Sequence, residues 1–165
     1  MERERLRPIR ELSDHVVDTS HFSTHELRRY AGQLLDDQDS VGLLLTLVSF
    51  GYKHGIPVDS DMVFDVRFLP NPYFVPELTE LSGSDAAVIK HLQSHEITID
   101  FLTRLQSMID FLLPEFEKEG KSYLTIAIGC TGGRHRSVMI ANAVAAALDN
   151  SKVRVKLIHR DVDKR

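Results

Sequence analysis

The stretch TIAIGCTGGRHRSVMIANAVAAAL, residues 125–148, constrains the fold more than any other part of the chain. An aliphatic run without a charge crosses a loop containing two adjacent glycines and continues as apolar residues at helical spacing. A strand with no polar alternation has both faces covered, as strands inside parallel sheets do, and a helix directly after it is the crossover such a sheet needs. VGLLLTLVSFG at 41–51 and MVFDVRFL at 62–69 read as two more buried strands, the second closed by Pro70, Asn71 and Pro72. KVRVKLIHR at 152–160 alternates Lys152, Arg154 and Lys156 against Val153, Val155 and Leu157, predicting a half-buried strand with one basic face. Between these runs, residues 85–93 predict a short helix. Residues 95–116 predict a longer one, with Phe101, Leu102, Leu105, Met108, Ile109, Leu112 and Leu113 on its inner face. Pro114 is expected to kink or end it, with Gly120 placed for a cap. In the helix after the loop, Ile140, Ala143, Val144 and Ala147 are expected to face inward. The fold class that follows is α/β, a mostly parallel sheet with flanking helices.

A chain of 165 residues, 42% apolar, suffices for one substantial core. The acidic DDQDS at 36–40 is the best linker candidate. Before it, the charged MERERLRPIRELSD predicts a solvated leader, Val16 and Val17 a short apolar step, and Ser23 with Glu26 a capping box opening a helix through Leu27, Tyr30 and Leu34. No stretch approaches the ~20 apolar residues of a membrane span, and the N-terminus is unlike a secretory signal, so a cytoplasmic protein is expected. The single cysteine forms no internal disulfide and agrees with a reducing compartment.

The charge is unevenly distributed. Residues 121–165 carry nine Lys/Arg against three Asp/Glu, a net +6 within a chain of net −4. The loop after the 123–130 run belongs to this basic part. Thr131, Gly132 and Gly133 let backbone N–H groups converge, the helix starting near His135 adds its positive dipole end, and Arg136 offers a guanidinium fork. A phosphate or carboxylate suits such a place. Cys130 and Arg136 also satisfy C-x5-R followed by Ser137, the spacing of tyrosine-phosphatase-like enzymes, in which the cysteine is the nucleophile and the arginine the phosphate clamp. Those enzymes usually place a histidine before the cysteine, where this chain has Gly129. Asp65 and Arg67, two apart on a strand, are expected either to pair or to present one member to a ligand with an amine or hydroxyls beside its phosphate. His54, His135 and His159 are weighed as metal ligands and set aside, because scattered single histidines are more often hydrogen-bonding groups. None of the nine glycines forms a G-x-x-x-x-G-K-[ST] nucleotide loop.

Four motifs, SFGYKHGIP, VFDVRFLPNP, YLTIAIGCTGGRHRSV and HRDVDKR, resemble in residues and order the C-terminal domain of the RapZ family, which includes RNase adapters and YvcJ-like nucleotide-binding proteins. The resemblance covers 39–165. Residues 1–38, with VVDTS and STHELRR, resemble the end of that family's N-terminal P-loop NTPase domain and its linker. It implies a non-catalytic cytoplasmic regulator, homo-oligomeric, with a phosphofructokinase-subdomain-like fold. In enterobacterial members such a protein binds small regulatory RNAs, presents one of them to an endoribonuclease and senses glucosamine 6-phosphate to control amino-sugar synthesis. ATP or GTP would bind only through the N-terminal NTPase domain. The implied ligand residues are Asp65, Cys130, Thr131, Gly132, Gly133, His135 and Arg136; the implied RNA-contacting residues are Lys53, Lys152, Arg154, Lys156, Lys164 and Arg165. One departure is Tyr73, where enterobacterial adapters carry a histidine.

Overall fold

The computed structural model describes residues 8, 12–13, 16–20, 22, 27, 30, 43–148 and 153–164. The chain divides into two compact units, Met1–Ser40 and Val41–Arg165. In the first, the rings of Phe22 and Tyr30 stack 5.4 Å apart and Val16 and Leu27 are exposed. The capping box, Leu34 and the acidic linker lie outside the described residues.

In the second unit the order is β1 (Leu44–Gly51), β2 (Met62–Asp65), α1 (Ala86–Gln93), α2 (Glu96–Lys118), β3 (Tyr123–Cys130), α3 (Arg136–Leu148) and β4 (Arg154–His159), with 3-10 turns at Tyr52–His54 and Pro72–Phe74. The four strands form an all-parallel sheet ordered β2-β3-β1-β4. β1 and β3 occupy its centre and are buried nearly throughout, as charge-free aliphatic runs require. Leu45, Leu47, Leu124, Ile126 and Ile128 meet Ile140 and Val144 of α3 and Leu105, Ile109 and Leu113 of α2 in one core. Each such burial removes apolar area worth about 1.5–3 kcal/mol from water.

Several expectations need correction. The 62–69 run is not one buried strand: β2 ends at Asp65, lies at a sheet edge and alternates in burial. Beyond it the chain turns, with Val66 N–H donating to the Gly129 carbonyl and Leu69 N–H to the Val66 carbonyl, so Val66 and Leu69 enter the core from a turn. Pro114 does not end α2, which continues to Lys118. Pro114 and Asp110, whose carbonyl loses its helical donor, are both exposed, so water replaces the missing bond. Gly120 adopts φ 88° just past the helix, where its missing Cβ is useful. Met108, 41% exposed, and Ala147 point away from the core, because the buried stripes of α2 and α3 are narrower than their apolar composition suggests. In β4, Val155 is half-buried but Leu157 remains exposed at the edge. Among the described residues no helix is long and apolar enough to cross a membrane.

Two histidines, His135 buried and His159 half-buried, make the fold sensitive to acid. His159 bridges the Ser49 hydroxyl (2.8 Å) and the Asn142 side-chain oxygen (3.1 Å), tying β4 to β1 and α3. His135 Nε2 donates to the Leu78 carbonyl at 3.1 Å. Burial pushes both imidazoles below their ordinary pKa, in His135 against the opposing pull of that carbonyl. At neutral pH and above neither state binds the proton. Below about pH 6.5 the unfolded chain takes it up first, so stability falls as pH falls. The denaturation midpoint should therefore drop between pH 7.5 and pH 5; a flat profile over that range would contradict this account.

Candidate functional site

β1 and β3 pair in register to their ends, Gly51 opposite Cys130, so the segments leaving them emerge side by side. One continues toward β2 and the other through α3 toward β4, strands on opposite sides of this pair. In open α/β sheets such a divergence leaves a crevice beyond the carboxyl ends of the strands. A cavity of about 610 Å³ lies there, walled by Cys130, Thr131, Gly132, Arg134, His135 and Arg136 from the loop, by Lys53 after β1, by Asn71, Tyr73, Phe74, Thr79 and Glu80 after β2, and by Lys164.

Close backbone packing shapes the loop. Lys53 N–H donates to the Thr131 carbonyl (3.2 Å), and a Cβ on Gly51 would lie 2.5 Å from the Gly132 carbonyl carbon. Gly133 has φ 82°, and its N–H donates to Cys130 Sγ at 3.2 Å. The Ser137 hydroxyl contacts the same sulfur at 3.2 Å, and Cys130 is only 3% exposed. The thiol is the floor of the cavity.

Arg136 is buried beside it. Its Nη1 donates to the carbonyls of Arg67 (2.7 Å) and Leu69 (3.1 Å), and its Nη2 to Thr131 Oγ1 (3.3 Å), while Nε is buried without a partner. Burial pulls its pKa down, while Cys130 and Asp65 push it back, and an arginine so placed stays charged. Half of the fork thus braces the turn after β2. Arg134, which no motif singled out, is held by the Leu81 carbonyl (2.9 Å) and the Glu80 carbonyl. His135 faces the same wall through the Leu78 carbonyl.

Asp65 stands at the end of β2 but is absent from the cavity wall. Arg67 engages both its oxygens, through Nε at 3.0 and 2.9 Å and Nη2 at 2.6 Å, and these bonds above all hold its pKa below the ordinary value. The Arg67 guanidinium also lies 4.1 Å from the Tyr52 ring centroid; Tyr52 packs on Phe50, over which Arg160 sits at 5.4 Å. This column fills the space beside Gly129: a Cβ there would lie 2.4 Å from the Phe50 ring and 2.6 Å from Tyr52. Where tyrosine-phosphatase-like enzymes usually place a histidine, any side chain here would have to displace the Phe50 and Tyr52 rings.

The structure separates the expected RNA-contacting residues. Lys53 and Lys164 line the cavity. Arg154 and Lys156 are in register with Leu44 and Thr46 at the other end of the sheet, about 20 Å of strand from the cavity. Lys152 and Arg165 lie outside the described residues. Lys164 also donates to Asp161 (2.8 Å), a fully buried carboxylate that accepts from Arg160 (2.6 Å) and from the Gly51 N–H (2.8 Å). Asp161 falls within HRDVDKR, but its partner at position 51 is too distant in sequence to leave a local signal. Of the histidines weighed for metal, His135 and His159 bond different neighbours, and no group of three or more His, Cys, Asp or Glu able to hold a metal ion occurs among the described residues.

Comparison with known proteins adds a family. The model of the RapZ C-terminal domain matches residues 43–163. A nucleotide-binding protein of Clostridium botulinum strain Hall is 48% identical over 165 residues, 99% of this chain and 56% of its own length. One from Acidobacterium capsulatum is 49% identical over 162 residues, 98% of this chain and 53% of its own. One from Clostridium kluyveri is 47% identical over 165 residues. The chain thus spans about half the length of the curated relatives it matches.

Proposed function

The chain belongs to the RapZ C-terminal domain family, and we propose that it is a non-catalytic sensor and RNA-binding adapter domain whose 130–136 loop holds the phosphate of glucosamine 6-phosphate. The observation that carries this reading is the cavity itself, where a glycine loop and the start of α3 are joined by Lys53, Arg134, Arg136 and Lys164. The unpartnered Nε of Arg136 is a buried donor lacking the acceptor that an anion would supply. Residues 1–38 are then the end of a nucleotide-binding domain, consistent with the relatives' names, and ATP or GTP belongs there. Small regulatory RNA would use Lys53 and Lys164 at one end of the sheet and Arg154 and Lys156 at the other, so it must extend along β4. An endoribonuclease as partner, a homo-oligomeric state and a cytoplasmic location complete the proposal.

Glucosamine 6-phosphate at about 100 times its Kd should stabilise the chain by about 2.7 kcal/mol, read as a raised Tm. Lys53→Gln should weaken that binding about tenfold, as expected for losing one charge-assisted contact. RNA affinity should fall with salt at a log–log slope of about −3 if four phosphates are neutralised. An unchanged Tm with the sugar phosphate, together with Cys130-dependent hydrolysis of an aryl phosphate, would instead favour thiol phosphatase chemistry. The shielded sulfur and the space closed beside Gly129 argue against that outcome.

A further inference from the structure

The charged groups of the cavity wall are not equally available. Arg134 and Arg136 are engaged by backbone carbonyls, and Lys164 is paired with Asp161. Two charged residues of the cavity lining have no side-chain ion pair or hydrogen bond among the described residues: Lys53 and Glu80. They meet the loop at different residues. Lys53 lies over Thr131 and Gly132, its backbone N–H on the Thr131 carbonyl and its Cε 4.0 Å from where a Gly132 Cβ would be. Glu80 lies beside Arg134, which grips its backbone carbonyl. Asp65, the acidic residue the sequence offers for a ligand amine, has both oxygens on Arg67 and does not line the cavity.

An unpaired cation and an unpaired carboxylate among the residues that line one cavity are complementary to a ligand that itself carries both charges. We propose that Glu80 binds the ammonium group of the ligand whose phosphate the 130–136 loop holds, and so sets the preference for an amino sugar phosphate over a neutral one. This rests on the reading of the loop as a sugar-phosphate site. The carboxylate does two things at once. It accepts a charge-assisted hydrogen bond from an ammonium, and it disfavours a phosphate that enters in the reverse direction. A neutral sugar phosphate gains nothing from the first and keeps the repulsion of the second.

Calorimetric titration of the 165-residue chain with glucosamine 6-phosphate and with glucose 6-phosphate tests this. The unaltered chain should prefer the amino sugar about tenfold or more, a ratio that one charge-assisted contact supplies. Glu80→Gln should bring the ratio close to one, and Glu80→Asp should restore part of it. Glu80 is exposed, so both variants should keep the parent Tm without ligand, which confirms that folding is intact. A ratio unchanged in Glu80→Gln, a ratio abolished by Asp65→Asn but not by Glu80→Gln, or no preference in the parent chain would each overturn the assignment of Glu80 while leaving the loop as an anion site. Binding of neither sugar phosphate to the parent chain would overturn the site reading itself, and Glu80 with it.

Discussion

Asp161→Ala should destabilise the 41–165 unit by about 3 kcal/mol, because it leaves a buried donor and two cations without their shared acceptor. For a unit of this size the Tm should fall by roughly 10 °C. Asp161 is fully buried and accepts from the Gly51 N–H, from Arg160 and from Lys164, so one carboxylate fastens the ends of β1 and β4 and the last described turn together. Burial alone would raise its pKa; hydrogen bonds from Arg160, Gly51 and Lys164 outweigh burial and pull the pKa well below the ordinary value. The depressed value fixes the sign of the pH dependence. The stabilisation is complete above the unfolded pKa near 4 and disappears as pH falls through the folded value, so the deficit of the variant should shrink in strong acid. Lys164→Met is the control: that side chain is half exposed, and losing its pair should cost no more than about 1 kcal/mol. Equal losses in the two variants would mean that Asp161 is an ordinary surface ion-pair member.

Gly51→Ala should damage stability and ligand binding together. The added Cβ would lie 2.5 Å from the Gly132 carbonyl carbon, 2.7 Å from its oxygen and 2.8 Å from the Gly133 nitrogen. All three are backbone atoms, and none swings aside as a side chain can. The loop would have to retreat by about 1 Å to reach ordinary contact, at a cost of about 1–3 kcal/mol. A shift of that size also moves the 130–136 loop away from an anion, so affinity for glucosamine 6-phosphate should fall at least about tenfold. Gly132→Ala meets only Lys53 Cε at 4.0 Å and should keep the parent Tm. A Gly51→Ala variant as stable as Gly132→Ala would show that the loop is not built by backbone contact with β1.

The elements most legible in the sequence are those whose burial is locally encoded. β1 and β3 carry no charged residue and are mostly apolar where neighbours and helices cover them, and α3 follows from apolar spacing after a glycine loop. Where remote atoms decide, sequence reasoning misplaces the boundary. β2 stops at Asp65 because Arg67 folds back on it and Arg136 holds the carbonyls of Arg67 and Leu69. The interior of α2 tolerates Pro114 because that side of the helix faces water, a fact about packing rather than helix propensity.

The same division runs through the site. Cys130, Gly132, Gly133, His135 and Arg136 stand out in the sequence as a candidate anion loop because backbone freedom, a helix start and positive charge coincide within seven residues. Their individual tasks are not recognisable there. Arg136 looks like a free clamp until the carbonyls of Arg67 and Leu69 occupy its Nη1, and Gly129 looks like a missing histidine until Phe50 and Tyr52 fill the space beside it. Asp65 looks like the ligand's acidic partner until Arg67 takes both its oxygens, and Glu80, in no motif, stands on the cavity wall.

By itself, the sequence determined an α/β chain with parallel strands, a glycine loop after the third strand and a basic final segment, because periodicity, glycine placement and charge are local properties. Only the tertiary structure decided which charged groups are engaged and which remain available, because each pairing depends on atoms brought together from positions tens of residues apart: Arg136 with Arg67, Arg134 with Glu80, and Asp161 with Gly51.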